Sequence, residues 1–145
     1  MPDDQMASER EFNERNIEEF RRNGGKVGGD FEGFPLLLLT STGAKSGAER
    51  VNLIGYFDID DKIYVVGSAA GRNQSPAWVF NLRANPHVSV EIGSSPPKPV
   101  VAHELPRDDR DRIFGIVTQR APGFADYEKR TDRVIPVFEL NPAGS

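Results

Sequence analysis

Thr42-Gly43-Ala44-Lys45-Ser46-Gly47, followed by Arg50, gathers two glycines, two hydroxyl groups and two cations within nine residues. Glycines let neighbouring N–H groups converge and the cations add charge, which is what an anion-binding nest for a phosphate requires. The run is not a Walker A loop. Its glycines and lysine do not follow G-x-x-x-x-G-K-S/T, and a strand rather than a helix is expected next. A glycine-rich β-turn with a solvated lysine accounts for the same residues.

Three further runs carry candidate chemistry. Gly67-Ser68-Ala69-Ala70-Gly71 closes an expected strand in small residues. These allow a flat ligand to approach and let Ser68 donate a hydrogen bond, or they form a plain loop. Ser75-Pro76-Ala77-Trp78-Val79-Phe80-Asn81-Leu82-Arg83-Ala84-Asn85-Pro86 reads as a short helix capped by Ser75, with Pro76 at its first position. Its positive end suits an anion, and Trp78 is either a core or lid aromatic or a ligand contact. Tyr127, within Phe124–Pro136, is a candidate proton donor or aromatic lid, among charges that read as a solvated helical face. His87 and His103 fall on expected strands without a partnering motif and read as structural or exposed. With no cysteine and two histidines, thiol nucleophiles, iron–sulfur ligation, Cys-type zinc sites and His-rich metal cages are excluded. Any electrons must travel on a bound group.

The elements that position these runs come from a chain of 145 residues, the length of one domain. Residues 1–33 hold nine acids and five bases, while the remaining 13 acids balance 13 bases. An acidic lead on a neutral body argues against non-specific nucleic-acid binding and against an anionic-membrane anchor. The opening Met1-Pro2-Asp3-Asp4 lacks the pattern of a secretory signal. Leu36-Leu37-Leu38-Leu39 falls far short of the roughly 20 residues that span a bilayer. A cytoplasmic protein with no stable membrane insertion is expected.

Ser8 and Glu11 form a capping box, and Phe12, Ile17 and Phe20 fall within about 140° on a helical wheel, so an amphipathic helix is expected up to Asn23. Gly24-Gly25, Gly28-Gly29 and Gly33 then mark a linker, which divides the chain into a helix and linker (1–33) and one domain (34–145). Strands are expected at Leu36–Ser41, Arg50–Ile59, Lys62–Gly67, His87–Ile92, Val100–Leu105 and Val134–Leu140, with a turn at Asp60-Asp61 and a loop from Gly93 to Pro99. A helix opens at Arg107–Arg112 and carries Ile113, Ile116 and Val117 toward Gln119. Short connections favour antiparallel pairing. The fold class is mainly β: a six-stranded antiparallel barrel with an N-terminal helix and short helices at its ends.

Taken in order and spacing, Thr42-Gly43-Ala44-Lys45-Ser46-Gly47 leading to Arg50-Val51-Asn52, then Gly67-Ser68, then Trp78 with Asn81-Leu82 and Ala84-Asn85-Pro86, then Tyr127 and Thr131-Asp132-Arg133-Val134-Ile135-Pro136, resembles the deazaflavin-dependent nitroreductase family over about residues 34–141. The resemblance implies a flavin-reductase-like split β-barrel that uses coenzyme F420, a deazaflavin, to reduce quinones, nitro compounds or other activated acceptors. It implies that Ala44, Lys45, Ser46, Arg50, Val51 and Asn52 hold the cofactor's phosphate and acidic tail. Gly67 and Ser68 would lie near the ring, and Ala77, Trp78, Val79, Phe80 and Asn81 would contact it through backbone donors and the Trp78 indole. Tyr127 would close over the substrate side as a lid or proton donor, and Tyr127, Ser68 or water would supply the proton. Ala69 stands where some relatives carry lysine. Gly55 replaces a tyrosine of relatives that activate bicyclic nitroimidazoles, and Phe124 and Arg130 flank Tyr127, which sets this chain apart from that activity. A non-catalytic carrier or sensor binding deazaflavin or FMN is the alternative, and a barrel that only mediates protein association is a third reading. The chain is expected to be a monomer or homodimer.

Overall fold

Leu36, Leu37, Leu38 and Leu39 are all buried, although a strand turns successive side chains to opposite faces. The computed structural model, which describes residues 14–28, 35–67, 77–131 and 133–143, shows what covers each face. Leu37 and Leu39 of strand β1 (Leu36–Thr42) point into a curled sheet with Val88, Val90 and Phe138. Leu36 and Leu38 pack on the other side against Phe20, carried by helix α1 (14–22), and against Val27. The apolar run is continuous because this strand has no solvent face. Ser8, Glu11 and Phe12, the expected start of α1, and Gly29 and Gly33 of the linker lie outside the described residues.

The chain continues through β2 (Glu49–Gly55), β3 (Phe57–Ile59), β4 (Lys62–Val66), α2 (Ala77–Ala84), β5 (His87–Ile92), β6 (Lys98–Glu104), α3 (Arg107–Arg120), α4 (Gly123–Lys129) and β7 (Val137–Pro142). The sheet has seven strands in the order β2-β1-β5-β6-β7-β4-β3, and every neighbouring pair is antiparallel. One strand more than expected appears because Arg50–Ile59 breaks at Tyr56, whose N–H donates to the Pro35 carbonyl at 3.1 Å. Its two halves lie at opposite edges of the sheet, β2 on β1 and β3 on β4. In a flat sheet those edges would stand roughly 29 Å apart, whereas Tyr56 alone joins them. The sheet must therefore curl until its edges meet. A bent strand closes the barrel, and no side chain has to do so.

Two further boundaries move. The last strand begins at Val137 rather than Val134, because pairing with β4 starts at Val137 and Pro136 has no N–H for a ladder. β6 begins at Lys98 instead of Val100, since Pro99 pairs with Ser89 and its carbonyl accepts from Ala143 N–H at 3.2 Å. The Asp60-Asp61 turn is as expected, with φ of 53° and 64° at the two residues, the left-handed pair of a tight hairpin.

Helix α2 plugs the barrel. Trp78, Val79 and Leu82 enter the interior, and the Trp78 indole meets the Phe138 ring edge-on at 6.0 Å. On the outer face, Ile113, Phe114 and Val117 of α3 cover Ile59, Tyr64 and Val137. Arg110 is buried within this layer, its guanidinium 4.3 Å above the Phe114 ring and donating to the Ile135 carbonyl at 2.9 Å and to Asp111 and Glu128. It ties α3 to α4 and to the segment before β7, a use that the charge-rich Arg107–Arg112 run does not advertise.

Glu139 on β7 sits between Tyr64, whose hydroxyl donates to it at 3.2 Å, and the Lys62 ammonium at 3.5 Å. Burial alone would raise the carboxyl pKa, but hydrogen bonds from Asn141 and Tyr64 and the charge of Lys62 together hold it below the ordinary range. A depressed carboxyl stabilises the fold above its unfolded pKa of about 4.3, and that contribution disappears as pH falls through the folded value. Glu139→Gln is therefore expected to melt lower than wild type at pH 7. The gap should narrow as pH is lowered below about 4, which thermal unfolding at a series of pH values measures. A gap that persists unchanged in acid would mean that packing of Glu139, not its charge, carries the effect.

Candidate cofactor site

The β1–β2 hairpin owes its shape to backbone bonds that its glycines permit. Gly43 N–H donates to the Ala48 carbonyl at 2.7 Å, and Gly47 N–H donates back to the Gly43 carbonyl at 2.9 Å. Gly47 has φ of 72°, a conformation that side chains disfavour, and a Cβ on Gly43 would stand 2.7 Å from Ser46 Oγ. Ser46 Oγ itself accepts from Ala48 N–H at 3.2 Å.

Asn81 fastens this hairpin to α2. Its Oδ1 accepts from Ala44 N–H at 2.9 Å and its Nδ2 lies 3.5 Å from Ser41 Oγ, while the residue is only 7% exposed. Ala44 therefore takes part by position, since its amide is committed to Asn81 and not to an anion. The amides of Lys45 and Ser46 donate no hydrogen bond within the described residues, and the exposed side chains of Lys45 and Arg50 form no ion pair among them. Two N–H groups and two cations remain available on one turn.

That turn forms one wall of a groove of about 1620 Å³. Ala44, Lys45, Ser46, Arg50, Val51 and Asn52 line it from the hairpin and β2. Arg50 and Asn52 pair with Ser41 and Leu39, which places them on the inward face, whereas Val51 turns to the α1 side. From α2 the lining residues are Ala77, Phe80, Asn81 and Ala84, spaced i, i+3, i+4 and i+7, with Arg83 beside them. Of the run Ala77 to Asn81, this periodicity brings Ala77, Phe80 and Asn81 to the groove. Trp78 and Val79 occupy the opposite face and are 6% and 0% exposed inside the barrel. Phe80 is 42% exposed and is the large apolar surface of the groove wall.

The third wall is α1, through Glu14, Ile17, Glu18 and Arg21. These residues stand at i, i+3, i+4 and i+7, so the signal was present in the sequence, but nothing local to a helix says which strand edge its polar face will meet. Two arginines of the groove are already engaged. Arg21 donates to both carboxylate oxygens of Glu91, at 2.9 and 3.2 Å, and Arg83 to both of Glu104, at 2.8 and 2.9 Å. Those hydrogen bonds raise both guanidinium pKa values, against the opposing effect of burial. The charge left for a ligand belongs to Lys45 and Arg50.

Gly67 and Tyr127 are placed elsewhere. A Cβ on Gly67 would lie 2.6 Å from Val79 Cγ2 and 3.0 Å from Pro136 Cγ, so this glycine serves the close packing of α2 on the C-terminal segment. Its carbonyl accepts from the Arg133 guanidinium at 3.0 Å. Ser68 lies outside the described residues. Tyr127 packs edge-on against Phe124, with ring centres 5.3 Å apart, in the outer cluster beneath α3, and it does not line the groove. There it is half-buried, with the Arg130 guanidinium 5.9 Å from its ring centre.

Among the described residues no group of His, Asp and Glu could hold a metal ion, and no helix is long and apolar enough to cross a membrane. A curled antiparallel sheet with a cationic hairpin beside an end-plugging helix defines a split barrel of the flavin-reductase-like type. The F420H(2)-dependent quinone reductase family matches the chain over residues 12–142, and the chain belongs to that family. It is 35% identical over 127 residues, 83% of each protein, to an F420H(2)-dependent quinone reductase of Mycobacterium tuberculosis strain H37Rv. A solved F420-H2 dependent reductase, FDR-A, shares 37% identity over 74% of this chain and 94% of its own, with a TM-score of 0.66. A structure described as a domain-swapped dimer shares 33% identity over 97% and 100%, with a TM-score of 0.67.

The protein is thus an oxidoreductase with coenzyme F420 as its cofactor. The groove suits that group on its own terms. A phosphate and acidic tail find two cations and two undirected amides at the hairpin, and a flat ring finds Ala77, Phe80 and Ala84.

Proposed function

We propose that this chain reduces a quinone-type acceptor with a hydride from reduced coenzyme F420, bound in the groove between the hairpin and α2. The observation that carries the reading is the pairing, in one groove, of the uncommitted cations Lys45 and Arg50 with the exposed Phe80 ring. Lys45, Arg50 and the amides of Lys45 and Ser46 hold the phosphate by charge-assisted hydrogen bonds. Asn52 offers an amide to the tail, and Val51 and Ala44 shape the channel. Asn81 keeps the hairpin at a fixed distance from α2, so that the bound ring has one orientation and the acceptor one approach.

When bound in its reduced form, the cofactor supplies a hydride, a two-electron donor that needs no metal or thiol from the protein. The chain's own part is to bind, to orient and to keep water from the reacting carbon. Phe80 gives an apolar surface that favours a flat acceptor over bulk water. Gly67 leads the chain to Ser68, whose hydroxyl or a water molecule delivers the proton that the reduced acceptor takes up. Nitro compounds are secondary acceptors on the same apolar surface.

Mixing the protein with reduced coenzyme F420 and a panel of quinones and nitroaromatics tests this directly. Quinones are expected to restore the oxidised cofactor's visible absorbance fastest. Tight cofactor binding with no acceleration for any quinone would reject the acceptor class.

A further inference from the structure

We propose that the acidic face of α1 limits how much negative charge the groove accepts, so that Glu14 and Glu18 select against coenzyme F420 with a long polyglutamate tail. The inference rests on the reading that Lys45 and Arg50 hold the cofactor's phosphate.

Glu14 and Glu18 stand one helical turn apart and line the same groove as Lys45 and Arg50. Arg21, the basic residue on that face, is neutralised by its two hydrogen bonds to Glu91. Glu14, Glu18 and Glu49 form no ion pair within the described residues. Three carboxylates therefore line the same groove as two uncommitted cations. A phosphate takes up the attraction of the two cations, and each glutamate added to the tail brings a further negative charge into a space bounded by carboxylates. A solvated acidic helix face would normally be silent, but this one forms a wall of the cavity into which an anionic ligand must fit.

The size of the effect follows from screening. Like charges about 8 Å apart in water at physiological salt repel by a factor of roughly 1.4 in affinity. Several tail carboxylates facing two glutamates multiply that factor, whereas a single-glutamate tail feels it once or twice.

Equilibrium titration of the full-length protein with oxidised coenzyme F420 carrying one glutamate, and separately five, reads this without any turnover. Wild type is expected to bind the long form no more tightly than the short one. In Glu14→Gln/Glu18→Gln the long form should tighten about fivefold or more and the short form about twofold, and the difference should vanish at high salt. Equal tightening of both forms, or no change in either, would overturn the inference. Thermal melts check that these exposed, isosteric substitutions leave the fold intact, and Glu18→Lys should tighten the long form further still. A Lys45→Ala variant separates the two layers. If it weakens neither form, the phosphate placement falls and this inference with it; if it weakens both, a failure of the glutamine variant counts against α1 alone.

Discussion

Replacing Trp78 with alanine is expected to cost about 3–5 kcal/mol of folding stability, the range for truncating a large buried aromatic. Trp78 is 6% exposed, packs edge-on to Phe138 and shares the barrel interior with Val79 and Leu82. The lost atoms leave a void in the barrel interior, where the neighbouring Val79 and Leu82 of α2 are already fully packed. For a domain of this size the melting temperature should fall by roughly 10 °C or more. Trp78→Phe keeps an aromatic ring against Phe138 and should cost about 1–2 kcal/mol.

The same pair of variants settles what the indole is for. If Trp78 acts only by packing, Trp78→Phe should bind coenzyme F420 within about twofold of wild type at a temperature where both are folded, since α2 still presents Ala77, Phe80 and Asn81 to the groove. A tenfold loss of affinity in a well-folded Trp78→Phe protein would show that the indole reaches the ligand after all.

Alternation in His87–Ile92, the apolar run at Leu36 and the turn at Asp60-Asp61 are local signals, and each named its element correctly. The closure of the barrel was not local. Arg50–Ile59 reads as one strand because its propensity is uniform, and only the demands of two different partners, β1 and β4, split it at Tyr56. On the candidate site, the hairpin residues stand out in the sequence because glycine, hydroxyl and cation types suit what a loop can do, and the structure brings them to one groove. On the helix, the side chains from Ala77 to Asn81 divide between two faces, because five consecutive residues cannot share one face of an α-helix. Tyr127 stands out in the sequence for its hydroxyl, and Phe124 lies three residues before it on α4, a spacing that puts the two rings side by side; Phe57, which meets Phe124, comes from β3, and no local rule connects it. The acidic face of α1 was visible as charge, but its role depends on which strand edge the helix covers.

Lys45→Ala/Arg50→Ala is expected to weaken coenzyme F420 binding about a hundredfold, with each single variant accounting for about tenfold. A hydrogen bond between charged groups contributes about 1.5–3 kcal/mol when formed, and the lower end applies to side chains as exposed as these. Folding should change by less than about 0.5 kcal/mol, because neither side chain packs in a core or pairs with an acid among the described residues. The variant thus separates binding from stability in the opposite sense to Trp78→Ala. Salt gives a second reading of the same interaction. Wild-type affinity should fall as ionic strength rises and screens the two cations, and the double variant should respond much less. Isothermal titration at low and high salt measures both slopes. Two equal slopes would mean that the anion is held by backbone amides alone, and the hairpin would then act through the geometry that Gly43, Gly47 and Asn81 impose, with its charge incidental.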